Sequence, residues 1–136
     1  MSRGLAEVHG FCTDFARFQN VQKNLFLDTK GGPNHVGNFC AAPIMCDPEN
    51  DTFEKRLTYY YIGQFSRYIE KGAVHIATTR YTSDVETVGF LNPDGSRVTV
   101  VLNRSEKDVE ITLIEGGVGV NEPVKSHSIT TYIFED

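Results

Sequence analysis

Apolar residues recur every three or four positions at Leu5, Val8, Phe11, Cys12, Phe15 and Phe18. That spacing predicts one apolar helical face, with Asp14 and Arg17 opposite. A short apolar run, Leu25-Phe26-Leu27, stops at Asp28; too short for a helix, it predicts a buried strand. Turn chemistry follows at Lys30-Gly31-Gly32-Pro33-Asn34, and the chain then reads as irregular to about Asn50. A second helical pattern uses Leu57, Tyr60, Tyr61, Phe65, Tyr68 and Ile69. Lys71 suits its last turn, and Gly72 marks its stop.

Beyond Gly72 the period changes to two. Val98, Val100 and Leu102 alternate with Arg97, Thr99, Val101 and Asn103, and Val109, Ile111 and Leu113 alternate with Asp108, Glu110 and Thr112. Turn signals separate such runs: Asn92-Pro93-Asp94-Gly95, Ser105-Glu106-Lys107 and Glu115-Gly116-Gly117. With Val74–Thr78, Val85–Leu91 and Ile129–Phe134 this predicts about five strands after residue 73. They form an antiparallel sheet or small sandwich with one wet, acidic face.

Charge changes at the same place. The first 72 residues balance eight basic against eight acidic side chains, whereas the rest set five against ten, so the net charge of −5 sits entirely there. Gly72 is therefore the expected boundary between a unit at 1–72 and one at 73–136. With 13 Lys and Arg against 18 Asp and Glu, and no basic run beyond Lys55-Arg56, nucleic acid is excluded as a partner by bulk charge. No apolar stretch reaches the length of a transmembrane segment. Met1-Ser2-Arg3-Gly4 lacks the apolar core of a signal peptide.

Candidate chemistry is sparse. His9, His35, His75 and His127 have no metal-ligand spacing, so neither a metal nor a cofactor is expected. His75 and His127 alternate with apolar strand residues and are expected to face solvent. Cys12, Cys40 and Cys46 are odd in number and are read as buried, inert thiols. Glu7, Glu49, Glu54, Glu70 and Asp28 are available carboxylates that nothing in the sequence pairs, so no catalytic residue is assigned. Two Asn-x-Ser/Thr sequons occur, at Asn50-Asp51-Thr52 and Asn103-Arg104-Ser105.

Four colinear segments carry a family resemblance: Asn24–Asp28, Gly31–Phe39, Tyr60–Ile69 and Leu91–Ser105. In this order and spelling they resemble the C-terminal end of glycoside hydrolase family 30, above all its glucosylceramidase branch. The resemblance implies a mixed α and β fold, mainly an antiparallel β-sandwich preceded by the last strand and helix of a (β/α)8 barrel. Residues 1–72 would be the barrel's end, and 73–136 the sandwich. It implies a retaining β-glycosidase acting on glucosylceramide or another β-glucoside, in the lysosome or secretory pathway. Asn38 matches a position lining the glucose site, and His35 and Phe39 fall on its rim, since barrel chemistry sits at the C-terminal ends of strands.

The departures matter as well. The family's two catalytic glutamates lie on earlier barrel strands, so these residues taken alone are expected to be inactive. Gln22-Lys23 stands where the family has Asp-Trp, Ala41 where it usually has an acid, and residues 10–23 fit its seventh helix poorly. A lone barrel strand with its helices leaves apolar surface uncovered, which favours self-association. Two other readings stay open: a stand-alone β-sandwich binding module, and an independent enzyme pairing Glu49 or Glu54 with Asp28.

Overall fold

The computed structural model describes residues 24–30, 40–79 and 82–135. The first predicted helix therefore lies outside the described residues. Three short strands open the described chain: β1 (Phe26–Asp28), β2 (Ile44–Asp47) and β3 (Thr52–Lys55). β1 runs parallel to β2, with Leu27 opposite Met45 and Asp28 opposite Cys46. β2 and β3 form an antiparallel hairpin closed by Pro48–Asp51, with Asp47 opposite Thr52. Leu27, Ala42 and Met45 pack into a small buried cluster under this sheet. The predicted strand is thus present, shifted to Phe26–Asp28, but of its apolar run only Leu27 is buried while Leu25 and Phe26 are exposed; the segment read as irregular contains a strand and starts a hairpin.

Helix α1 (Leu57–Ser66) follows. It is three residues shorter than the apolar pattern predicts. Beyond it, the N–H groups of Tyr68 and Ile69 both reach the carbonyl of Phe65, tightening the exit. Gly72 then sits at φ 96° in a turn closed by the Ala73 N–H on the Glu70 carbonyl. Tyr61, Phe65, Tyr68 and Ile69 form the buried or half-buried side. Leu57 and Tyr60, expected on that face, are exposed.

Six strands complete the fold: β4 (Val74–Ile76), β5 (Val85–Leu91), β6 (Arg97–Asn103), β7 (Val109–Glu115), β8 (Val118–Val124) and β9 (Ser128–Phe134). Four of them make an antiparallel sheet in the order β4-β5-β6-β9, and β7-β8 form a separate ribbon. The ribbon turns on Gly116 and Gly117, at φ 56° and 85°. A two-residue hairpin loop of this kind needs positive φ at both positions, which glycine adopts without strain.

The sheet is covered on both faces. On one, Phe65 of α1 packs against Val88, Phe90, Val98 and Val100, and Tyr61 against Leu102. On the other, Val124 of the ribbon joins Val85 and Val101, with Val109, Ile111 and Tyr132 around them. Val101 and Asn103, expected to point outward, are consequently fully buried. The predicted wet face belongs to the ribbon's outer side, where Glu110, Thr112, Ile114 and Asn121 are exposed. An ion pair between Arg97 and Glu115 ties the ribbon's tip to β6.

Buried Asn92 joins helix to sheet. Its Nδ2 donates to the Tyr68 carbonyl at 2.9 Å and to Ser96 Oγ at 3.0 Å, and its Oδ1 accepts the Glu70 N–H at 3.0 Å. Thr131 Oγ1 on β9 adds a 2.8 Å bond to Gln64 Oε1. The cluster of Phe65 with Val88, Phe90, Val98 and Val100 likewise draws on residues from both sides of residue 72.

Three turn carboxylates are held below their ordinary value of 3.8: Asp47 by the Asn50 amide, Asp94 by Ser96, and Asp108 by Lys125 and the Ser126 N–H. A depressed folded pKa contributes stability above the unfolded value and loses it as pH falls through the folded one. The melting temperature is therefore expected to stay level between pH 5 and 8 and to drop below about pH 4. All three groups are exposed, so each contribution is small. Calorimetry at pH 6 and pH 3 checks this: substituting the three by Asn should shrink the acid-side drop, and an unchanged drop would place its origin elsewhere.

Candidate functional site

The expected pocket border lies where β1 ends. Asp28 closes the strand and accepts the Lys30 N–H at 3.0 Å through its own carboxylate, as in an Asx turn. The Thr29 N–H meets the Cys46 carbonyl at 2.9 Å, continuing the pairing one residue past β1. At the same end, Lys30 Nζ lies 3.4 Å from Glu49 Oε1, with both side chains about three-quarters exposed. Asp47 accepts the N–H groups of Glu49 and Asn50 at 3.0 and 3.3 Å, and the Asn50 amide at 2.8 Å. Asp28 and Asp47 are turn acceptors, and the Asn50 amide and the two backbone N–H groups favour the ionised form of Asp47. A general acid needs the reverse.

His35, Asn38 and Phe39 lie outside the described residues. The chain resumes at exposed Cys40 and Ala41, then buries Ala42 and Pro43, where the Ala42 N–H points at Met45 Sδ, 3.5 Å away. This return leads to the start of β2, because a parallel pair needs a crossover.

The sheet register also disposes of a local carboxylate pair. Asp28 sits opposite Cys46, and Cys46 opposite Phe53, so these three share one face. Glu54 sits opposite Met45, which sits opposite Leu27, on the other face. Asp28 and Glu54 thus point to opposite sides of a sheet, two strand spacings (about 9–10 Å) apart. A retaining glycosidase needs its carboxyls about 5–5.5 Å apart on either side of one bond. Glu49 is instead committed to the exposed contact with Lys30.

The other candidates are at the surface. His75 is exposed on β4, edge-on to Phe90 at 5.9 Å. His127 is exposed too, but in the turn between β8 and β9 at φ 50°, with Nε2 2.9 Å from Glu106 Oε2. Cys46 is half-buried, whereas Cys40, expected to be buried, is exposed. His9 and Cys12 lie outside the described residues. What the sequence reading missed here is the β2–β3 hairpin. Its available signal was Asp47-Pro48-Glu49-Asn50-Asp51, a run of turn-forming residues ahead of Thr52-Phe53.

Comparison with known proteins gives the family of both parts of the chain. Residues 1–69 match the glycosyl hydrolase family 30 TIM-barrel domain, and residues 72–132 match the family's beta sandwich domain. Lysosomal acid glucosylceramidase of Mus musculus is 44% identical over 113 residues, which is 82% of this chain and 22% of that protein. The crystal structure of SrfJ from Salmonella typhimurium superposes with a TM-score of 0.83 at 34% identity, over 94% of this chain and 30% of that one. An endo-β1,6-glucanase superposes with a TM-score of 0.74 at 32% identity, over 83% of this chain and 26% of that one. The chain thus spans between a fifth and a third of the length of these relatives. Two adjoining domain matches, in the order of the last barrel elements and the side sheet, leave one assignment: the chain belongs to glycoside hydrolase family 30.

Proposed function

We propose that this chain is the C-terminal portion of a retaining β-glycosidase resembling glucosylceramidase, which splits glucosylceramide into glucose and ceramide. Residues 1–72 supply the end of the barrel and residues 73–136 the sandwich beside it. Asn38 contacts the glucose, and His35 and Phe39 form the rim of its pocket. The parent enzyme works in the lysosome, in keeping with its mouse relative. The observation carrying this reading is the likeness to a lysosomal acid glucosylceramidase over 82% of this chain, beside the two domain matches. Its 44% identity favours a glucosylceramide-like substrate over the β-glucan of the 32% identical structure.

Catalysis needs an acid and a nucleophile on opposite sides of one glycosidic bond, and removing either costs orders of magnitude. These 136 residues are inactive alone, since the family's two glutamates lie on earlier barrel strands. Leu25, Phe26 and Tyr60, each more than half exposed, suit a surface covered by the rest of the barrel. By themselves the residues self-associate through it.

The test replaces the corresponding segment of the mouse enzyme with this chain. The chimera is expected to hydrolyse an aryl β-glucoside, and Asn38→Ala in it to lower kcat/KM on the order of 10- to 100-fold. The isolated chain is expected to sediment above its monomer mass and turn over substrate no faster than buffer. A folded chimera without turnover, or sugar release by the isolated chain, would overturn the proposal.

A further inference from the structure

The two sequons occupy opposite environments. Asn103 is fully buried, with both ends of its amide engaged. Asn50 stands in the loop closing the β2–β3 hairpin, where every residue from 48 to 55 is exposed. Asp51 turns the chain there at φ 53°, and Thr52, the third sequon residue, is the exposed first residue of β3.

We infer that Asn50 is an N-glycan acceptor. The donor is a lipid pyrophosphate-linked oligosaccharide delivered by a host transferase. The bond formed joins Asn50 Nδ2 to the anomeric carbon of the reducing-end N-acetylglucosamine. The anomeric C–O bond to pyrophosphate breaks, its electron pair leaves with the lipid pyrophosphate, and one Nδ2 proton passes to a base. The folded loop accommodates the product. Among the described residues Asn50 Nδ2 gives one hydrogen bond, to Asp47 Oδ2 at 2.8 Å, and a glycosylated amide keeps one N–H for it. The glycan then projects from the same sheet end as Lys30, since Lys30 touches Glu49 of this hairpin.

Passage through the secretory lumen rests on the lysosomal reading above, so the experiment supplies that passage itself. The 136-residue chain is expressed behind a cleavable signal sequence in a secretory eukaryotic host. Peptide-N-glycosidase treatment in heavy-oxygen water then marks each occupied Asn as labelled Asp. In chains whose signal has been cleaved, the tryptic peptide ending at Lys55 is expected to carry the label at Asn50. Asn50→Gln should abolish it, as should Thr52→Ala, which leaves the Asn50–Asp47 bond in place. Signal-cleaved chains with unlabelled Asn50, or a label at Asn50 that survives Thr52→Ala, would overturn the inference. The natural protein's compartment does not enter this readout, so a non-lysosomal parent would refute only the earlier reading.

Discussion

Phe65→Ala is expected to destabilise the fold by about 3–5 kcal/mol, the range for deleting a buried aromatic ring from a packed core. Phe65 is 2% exposed and packs with Val88, Phe90, Val98 and Val100 from two sheet strands, and with Tyr68, Ile69, Ala73 and Ile129 around them. Alanine leaves a ring-sized void in the layer where α1 meets the sheet, and close-packed β6 has little room to collapse into it, because its other face is sealed by the ribbon. For a chain of this length the expected fall in melting temperature is roughly 10–20 °C. Leu57→Ala on the same helix is the control: that side chain is half exposed, so a loss under about 1 kcal/mol is expected. Urea titration with an unchanged slope separates the two. If both variants lose the same small amount, the helix is a passenger on the sheet. A large loss for Phe65 alone means that the end of the barrel is held by the sandwich, through a core that joins α1 to β5 and β6.

Legibility along the sequence follows how local each cause is. β5 coincides with the run Val85–Leu91, and the alternation from Arg97 to Asn103 locates β6, because strand period is written into consecutive residues. The start of α1 at Leu57 is legible for the same reason. β8 was not. Between Val118, Val120 and Val124 stand Gly119, Asn121 and Pro123, which have low strand propensity and are tolerated because this strand lies at the surface of a two-stranded ribbon. β2 was missed because Ile44-Met45-Cys46-Asp47 has no clear period, and its burial comes from parallel pairing with β1 across a long crossover. The inward side of Val101 depends on Val124, a partner more than 20 residues away. For the candidate site, period and composition pointed nowhere. His35, Asn38 and Phe39 came from the spelling of one segment, whereas the mismatch of Asp28 and Glu54 needed the register of three strands.

Asn103→Ala is expected to cost about 2–4 kcal/mol, more than an ordinary polar substitution. Asn103 ends β6 with no exposed surface, and its side chain closes the base of the ribbon. Nδ2 faces the carbonyls of Lys107, Val124 and Lys125 at 2.8, 3.1 and 3.0 Å, while Oδ1 accepts the Ser105 N–H and hydroxyl at 2.9 and 2.8 Å. Both strands of the ribbon are thereby pinned to the sheet through one amide: the turn entering β7 through Ser105 and Lys107, and the exit of β8 through Val124 and Lys125. Alanine leaves the buried Val124 carbonyl without this donor, and the turns at Ser105 and Lys107 lose their common anchor. Loss of each such bond costs about 1 kcal/mol net, and an unsatisfied buried group more. Aspartate is the sharper probe. It keeps the size of the side chain but puts carboxylate oxygen where three carbonyl oxygens converge, so at pH 7 Asn103→Asp is expected to be less stable than Asn103→Ala. Its carboxyl is then pushed above the ordinary aspartate value in the folded state, and part of the deficit should return as the pH falls and the group takes up a proton it can donate. Urea midpoints for both variants at pH 7 and pH 5 decide the matter. If Asn103→Ala lies within about 0.5 kcal/mol of the parent, or the Asp variant is the more stable of the two, the amide does not hold the ribbon and the order of these layers has another cause.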